Sequence, residues 1–475
     1  MRIVFTASEA APFIKTGGLG DVAEALPAAL SKIKGNEVFL FLPYYGKIKR
    51  NKNINTELLA EFEMDLSWRK QYVGVHKVKS RKKKLQVFLI DNEYYFDRAT
   101  EYGQVDDGER FAFFSKAILE SLVRLEIAPD IIHCNDWQTA LVPVFLHSLY
   151  NEYLGKAKTV FTIHNIEYQG WCDSGFLSDV MGIDESYRSV MEFDGQVNFM
   201  KGAILSVDSL TTVSKTYAKE IKYPYYAHGL SAVIEEHTFK LDGVVNGINQ
   251  EMNDPLTDKA IVRNYGISNF AEGKAENKKA LQQELGLEVR EDVPLIGMVS
   301  RIVSHKGFEL ICDIAKELLK KDVQLVILGT GDPSFQGLLS NIASSNKGRF
   351  SLNLAFDSGL ASRIYASSDI YLMPSKSEPC GLSQLIAMRY GTIPVVNETG
   401  GLKDTVIPFD GNNGTGFTFQ SFCREDLLDA LTRCITVYRE QPENWKKAVV
   451  NSMKYDSSWD KPAREYMDIY FKHLN

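Results

Sequence analysis

The apolar positions of this chain fall into short, nearly unbroken runs separated by longer stretches with helical periodicity. Such runs occur at Arg2–Thr6, Glu37–Leu42, Leu85–Ile90, Asp130–Cys134, Thr159–Ile163, Ser209–Val213 and Gly243–Val245. Parallel strands buried on both faces read this way. Between them, Asp21–Ser31, Glu109–Leu125 and Gln138–Tyr153 predict helices. Strand and helix in alternation predict an α/β fold with a doubly wound sheet.

The pattern pauses from Gln250 to Asp292, which is polar and short of strand candidates. A second series follows, with strands at Leu295–Val299, Gln324–Leu328, Ser351–Leu354, Ile370–Met373 and Ile393–Val396. Its helices are Phe308–Lys320, Leu360–Ala366, Leu382–Tyr390 and Arg424–Tyr438. Two α/β domains are therefore expected, 1–247 and 248–454, joined near Asn246–Asn249. The last segment, 455–475, carries SWDKPAREYMDIYF with Pro462 near a helix start. It either closes the second domain or returns to the first.

Composition narrows the class. The chain has 475 residues, 44% hydrophobic and 24% charged. That is enough for two or three full cores and excludes disorder, collagen and small disulfide scaffolds. With 54 Lys+Arg against 61 Asp+Glu the net charge is −7, which argues against a general nucleic-acid binder. The six cysteines are scattered without a C-x-x-C pair, as in a cytoplasmic protein with reduced thiols. The start lacks a signal-peptide pattern, and the longest apolar stretch, VFLFLPYY at 38–45, is far short of a bilayer span. No membrane association is expected.

The richest local motif is Lys15-Thr16-Gly17-Gly18-Leu19-Gly20-Asp21, leading into a helix. Its glycines admit close approach of a ligand, and a helix start directs N–H groups and positive dipole at an anion. The same residues also read as a plain loop with a helix cap at Asp21. A Walker A loop is excluded, because G-K-[ST] does not occur. The dinucleotide fingerprint fits Gly18-Leu19-Gly20-Asp21-Val22-Ala23 only superficially. The turn begins well after the strand, and the second strand ends in Pro43-Tyr44-Tyr45 without the expected acid.

In the second domain, Arg301 and Lys306 follow the first strand, where open α/β sheets bind ligands. Two cations there suit a diphosphate, Arg301 as a planar fork and Lys306 as a point charge. Gly329-Thr330-Gly331, Glu378-Pro379-Cys380-Gly381-Leu382 and Thr399-Gly400-Gly401 follow later strands. In the first domain Asp136-Trp137 and His164-Asn165, with Tyr168-Gln169-Gly170, stand at strand ends. Amides and aromatics beside a carboxylate are what a sugar site uses. Ligand groups in both halves point to the cleft between domains. No D-x-D, H-E-x-x-H or EF-hand loop occurs, so basic side chains are expected to neutralise a leaving diphosphate without metal.

Together these motifs resemble those of bacterial glycogen synthases and plant starch synthases. The resemblance rests on KTGGLGDVAEALP at 15–27, IHCNDWQTAL at 132–141, FTIHNIEYQG at 161–170, TTVSKTYAKEI at 211–221, GVVNGIN at 243–249, SRIVSHKGFELI at 300–311 and PSKSEPCGLSQLIAMRYGTIPVVNETGGLKDTV at 374–406. It implies the GT-B architecture, two doubly wound Rossmann-like domains facing a central cleft. The activity implied is retaining transfer of glucose from a nucleotide diphosphate glucose to the non-reducing end of an α-1,4-glucan. No cofactor is implied. Among donors, ADP-glucose is favoured and UDP-glucose stays open.

Carried onto this chain, the resemblance implies that Lys15 and Gly18 face the donor and that His164 contacts the transferred glucose. Asp136 would lie in the acceptor region, Arg301 and Lys306 would hold the diphosphate, and Glu378 the sugar hydroxyls. Cys380, Gly381 and Leu382 would offer backbone donors. Asp21, Asn165, Asn246, Thr399 and Gly400 complete the implied substrate-binding set. The terminal segment would cross back to the first domain, and no transit peptide or amino-terminal carbohydrate-binding domain is expected. The chain departs from the family at Asn135 and Gln138, where histidines are usual, and at His305, where Gln is usual. Alternatives are another GT-B transferase with a small-molecule acceptor, a nicotinamide oxidoreductase and a non-catalytic glucan-binding protein.

Overall fold

The computed structural model describes residues 1–80 and 84–474. The chain divides into two compact units, Met1–Asn246 with Trp459–Asn475, and Gly247–Ser458. Asn475, the end of the expected terminal segment, lies outside the described residues.

The first unit opens with β1 (Arg2–Thr6), β2 (Glu37–Pro43), β3 (Thr56–Leu66), β4 (Arg69–Val78), β5 (Leu85–Asp91), β6 (Ile131–Asn135) and β7 (Lys158–Ile163). Three short strands follow, β8 (Trp171–Cys172), β9 (Glu192–Phe193) and β10 (Gln196–Asn198), then β11 (Ser209–Thr212) and β12 (Leu241–Gly243). Nine strands form one sheet in the order β12-β11-β7-β6-β1-β2-β5-β4-β3, while β8, β10 and β9 make a small antiparallel sheet. Strand order reverses beside β1, which pairs in parallel with both β2 and β6. Every residue of β6 is buried, including the polar His133 and Asn135, so its burial shows no alternation.

The second unit holds β13 (Leu295–Val299), β14 (Gln324–Leu328), β15 (Phe350–Asn353), β16 (Ile370–Met373), β17 (Ile393–Asn397) and β18 (Phe417–Phe419). Its parallel sheet runs β15-β14-β13-β16-β17-β18, so order reverses between β13 and β16. In each unit the loops at the carboxyl ends of the strands flanking this reversal are where an open α/β sheet binds ligands.

The terminal helix Asp460–Leu474 belongs to the first unit. Tyr466 and Tyr470 are fully buried in that unit's core, and the Tyr470 hydroxyl lies 2.7 Å from His133 Nδ1. Ser209 Oγ meets His473 Nε2 at 2.6 Å farther along the helix. Residues Tyr455–Ser458 stay with the second unit, so the terminal element starts later than the expected 455.

Several elements differ from expectation. β3 and β4 form an antiparallel hairpin, with β4 also antiparallel to β5, on the edge of an otherwise parallel sheet. The expected Gly243–Val245 strand is β12, two residues earlier. Gln138–Tyr153 is not one helix. A 3₁₀ turn at Trp137–Thr139 precedes helix Leu141–Leu149, and a separate turn covers Asn151–Leu154. The Thr139 hydroxyl bonds the Asn135 N–H and carbonyl at 2.6 and 2.9 Å, diverting backbone groups from a helical ladder. Helix Phe270–Glu284 occupies the segment that looked featureless.

Candidate active site

In the first unit, the chain leaving β1 forms a loop whose anchor is Glu9, a residue the sequence reading passed over. Its carboxylate is 2% exposed. It accepts hydrogen bonds from the Thr16 N–H and hydroxyl, both at 2.6 Å, and from the Gly20 N–H at 3.1 Å. Burial raises the Glu9 pKa, and these hydrogen bonds oppose the rise. The helix begins at Gly18, three residues before the expected start, and its N-cap Gly17 has no side chain to cap it. Glu9 performs that task from outside the helix. Asp21 is therefore not the cap. It sits in the first turn and accepts from Lys15 Nζ at 2.7 Å. Part of the N–H array expected to face a phosphate is thus already engaged by an internal carboxylate.

The loop after β6 carries the most strained backbone of the site. Asp136 has φ 55° and ψ 177°, a region nearly reserved for glycine. Its Oδ1 accepts from the His164 N–H at 2.7 Å and the Asn165 N–H at 3.3 Å, fastening the loop after β7 to the loop after β6. Desolvation pushes the Asp136 carboxyl up to about 7, against those two hydrogen bonds and with repulsion from Glu9.

His164 is held neutral, its pKa lowered to about 3 by desolvation. Its Nε2 lies 2.9 Å from Asn135 Oδ1, while the Asn135 amide nitrogen donates to the Thr6 carbonyl at 3.0 Å. The Thr6 bond fixes which end of Asn135 faces the ring. Nε2 therefore carries the proton, leaving Nδ1 as an acceptor. The departure at Asn135 is thus the group that sets the His164 tautomer. Beyond it, Gly170 has φ 72°, and a Cβ there would run 2.6 Å from Trp137, so glycine lets the loop lie on that ring. Asn246 is buried, with Oδ1 lacking a partner among the described residues.

In the second unit, β13 leads into Arg301, whose guanidinium is exposed and has no partner among the described residues. A 3₁₀ turn at Ser304–Lys306 and Gly307 then start helix Phe308–Leu319. The Lys306 ammonium donates to Glu378 Oε2 at 2.6 Å, and Ser375 Oγ donates to the same oxygen at 2.9 Å. Glu378 is 5% exposed. Backbone bonds tie these loops together: Lys376 N–H to the His305 carbonyl at 2.9 Å, and Gly401 N–H to the Glu378 carbonyl at 3.1 Å. The departure at His305 thus sits where the main chain carries that tie.

The glycine-rich segments of this unit approach protein rather than leaving open space. A Cβ on Gly329 would collide with the Ser300 carbonyl, and one on Gly400 with the Glu378 carbonyl. Gly381 adopts φ 73°, and Gln384 Nε2 donates to the Cys380 and Gly381 carbonyls at 3.1 and 2.9 Å. Leu382 is the residue preceding helix Ser383–Arg389, and Thr399 is buried ahead of helix Gly400–Thr405. Within each unit, then, the expected residues gather at the strand-order reversal: Lys15, Gly18, Asp21, Asp136, His164 and Asn165 in the first, Arg301, Lys306, Glu378 and Cys380 in the second.

Comparisons with known proteins bear on the family and the fold. Residues 2–236 match the profile described as "Starch synthase catalytic domain", and residues 282–451 match "Glycosyl transferases group 1". A glycogen synthase of Clostridium novyi is 45% identical over 482 aligned residues that cover 100% of both chains. The chain belongs to the glycogen and starch synthase family. It is a retaining hexosyltransferase of that type. A glycogen synthase of Exiguobacterium sibiricum is 44% identical, covering 99% of this chain and 98% of the relative. The catalytic domain of starch synthase IV from Arabidopsis thaliana, solved with ADP and acarbose, superposes with a TM-score of 0.92 at 34% identity, covering 99% of each chain. The fold is accordingly GT-B. A sucrose-phosphate synthase from Thermosynechococcus elongatus shares that fold at a TM-score of 0.63 and 16% identity, covering 99% of this chain and 98% of its own.

No helix among the described residues is long and apolar enough to cross a membrane. The described residues contain no group of three or more His, Cys, Asp or Glu arranged to hold a metal. None of the six cysteines is joined in a disulfide among the described residues.

Proposed function

We propose that the chain transfers glucose from ADP-glucose to the non-reducing end of an α-1,4-glucan, with retention. The observation that carries this reading is the strained Asp136, gripping the backbone of a neutral His164 beside the strand-order reversal. Backbone strain persists only where the surrounding structure holds it, and such residues cluster at active sites. An uncharged imidazole with a free Nδ1 suits a sugar hydroxyl, and the unpartnered Asn246 Oδ1 offers a second acceptor. Arg301 and Lys306 hold the diphosphate, and Lys15 and Gly18 contact the donor. Glu378 accepts from sugar hydroxyls, and the 380–382 and 399–400 segments add backbone contacts.

In the reaction the anomeric carbon–phosphate oxygen bond breaks, its electron pair leaving with ADP. The acceptor 4-oxygen bonds that carbon on the same face, and its proton passes to the departing phosphate oxygen. The basic side chains stabilise charge as it develops on the diphosphate. The reading of ADP-glucose over UDP-glucose is supported by the starch synthase relative, which was solved with ADP. The enzyme acts in the cytoplasm, where free thiols persist.

Purified enzyme supplied with ADP-glucose or UDP-glucose, with and without glycogen, tests this reading. Primer-dependent release of ADP is expected. Primer-independent turnover with a small acceptor would replace glucan by that acceptor, and faster turnover with UDP-glucose would reverse the donor assignment.

A further inference from the structure

Asn135 ties together the ends of three strands in the first unit. It is fully buried as the last residue of β6. Its amide nitrogen donates to the Thr6 carbonyl at the end of β1 at 3.0 Å. Its Oδ1 faces Nε2 of His164, the residue after β7, at 2.9 Å. The Asn135 backbone is clipped as well, because the Thr139 hydroxyl bonds both its N–H and its carbonyl. Turning the amide over would set its oxygen against the Thr6 carbonyl, leaving two acceptors face to face. The side chain therefore has one orientation.

Among the described residues no other group competes for the imidazole proton. Asp136 Oδ1 is spent on the backbone N–H groups of His164 and Asn165 rather than on the ring. His133, two residues back on β6, turns its own Nε2 to Thr162 at 2.6 Å and its Nδ1 to Tyr470. His164 is only half-buried, and its Nδ1 has no partner among the described residues. A ring whose Nε2 must donate presents Nδ1 as an acceptor and nothing else. A hydroxyl can satisfy that nitrogen, whereas a fluorine, carbonyl or carboxylate brings a second acceptor against it. A histidine at position 135 could itself donate or accept, so the restriction comes from asparagine. We propose that Asn135 is a specificity-determining residue: by fixing the His164 tautomer, it makes the site demand a hydrogen-bond donor on the transferred sugar. The inference rests on the reading of His164 as a contact of the donor glucose.

The test compares wild type, Asn135→Leu and Asn135→His on ADP-glucose and on analogues with each glucose hydroxyl in turn replaced by fluorine. Fluorine donates no hydrogen bond, and its inductive effect on the anomeric carbon is common to all three enzymes. At the contacted position wild type is expected to lose about 10²-fold in kcat/KM. That penalty should shrink roughly tenfold in Asn135→Leu, where the ring can move its proton to Nδ1, and by less in Asn135→His. Imidazole ¹⁵N spectra of the full chain read the tautomer directly, the His164 signals being those absent from His164→Gln. Wild type should carry a proton on Nε2 alone, and Asn135→Leu should show a mixture. A wild-type spectrum with the proton on Nδ1 would overturn the proposal, as would equal penalties in all three enzymes at every position. Calorimetric affinities for the same donors, measured without primer, separate the two readings. If wild type transfers no glucose yet discriminates by affinity in this way, the activity assignment fails and the role of Asn135 stands. If it transfers glucose with penalties that the Asn135 variants leave unchanged, the role of Asn135 alone is refuted.

Discussion

The Lys306 ammonium lies 2.6 Å from Glu378 Oε2, so two residues that the sequence offers as separate ligands form one ion pair at the carboxyl ends of β13 and β16. The lysine's positive charge is thereby aimed and partly balanced, and the proposed diphosphate would share it. The pair is nearly enclosed, with side-chain exposures of 17% and 7%.

Removing the lysine alone strands a buried carboxylate. We expect Lys306→Ala to cost roughly 3 kcal/mol of unfolding free energy and about 10²-fold in turnover. Adding Glu378→Gln to it should restore much of the stability but none of the turnover. Denaturant melts and steady-state rates on the single and double variants check this. A double variant no more stable than the single one would mean that the pair is not what secures these loops.

Glu9→Gln should loosen the Gly-rich loop without unfolding the unit. The substituted amide can still accept at one end, but it presents an N–H₂ group toward N–H donors at the other. Donor KM is expected to rise by about tenfold, more than kcat falls. The Gly20 amide, now bonded to Glu9 at 3.1 Å, should exchange faster with solvent deuterium. Unchanged exchange at Gly20 would show that the loop is held by other means.

Asp136 should make stability depend on pH around neutrality. Its carboxyl rises from 3.8 to about 7 on folding. The folded chain thus keeps a proton that the unfolded chain releases, and this contribution is full at low pH and fades as pH rises through 7. The slope is at most about 1.4 kcal/mol per pH unit. Asp136→Asn removes it, so the variant should gain stability relative to wild type between pH 5 and pH 8. Parallel urea midpoints at the two pH values would contradict this.

Acid should act in the opposite sense through two histidines. Burial lowers both His133 and His164 from 6.5 to about 3. Unfolding lets them take up protons, so stability falls as pH drops below 6.5. Two such groups outweigh the single gain from Asp136. His133 is also bonded to Tyr470 at 2.7 Å, so helix Asp460–Leu474 should loosen early. Deuterium exchange at pH 5 should show that helix opening before β6, whereas simultaneous opening would detach His133 from the effect.

Much of this architecture is written in unbroken apolar runs such as those of β13 and β16. What stays hidden has specific physical causes. The β3–β4 hairpin alternates, with Met64 and Leu66 inward and Glu63 and Asp65 outward, so a search for continuous strands passes over it. Helix Phe270–Glu284 buries Lys274, Asn277 and Lys278 on its inner face. Lys278 is satisfied there by the Val293 carbonyl and Asp369 at 2.6 and 2.8 Å, so its burial pattern does not look apolar. At the site, residue types marked Lys15, His164, Arg301, Lys306 and Glu378. Glu9 carries no motif, and its role exists only once the chain has turned back on it. The strain at Asp136 is a backbone property that letters do not encode.

The return of the terminal helix to the first unit also fixes an order of events during synthesis. Residues 247–458 emerge from the ribosome as an uninterrupted stretch and contain everything needed for the second unit's sheet. The first unit lacks Tyr466 and Tyr470, both fully buried in its core, until every residue of the second unit has been made. Folding that follows translation usually proceeds from the amino terminus. Here the first unit's core is sealed only by residues that follow the second unit in the chain.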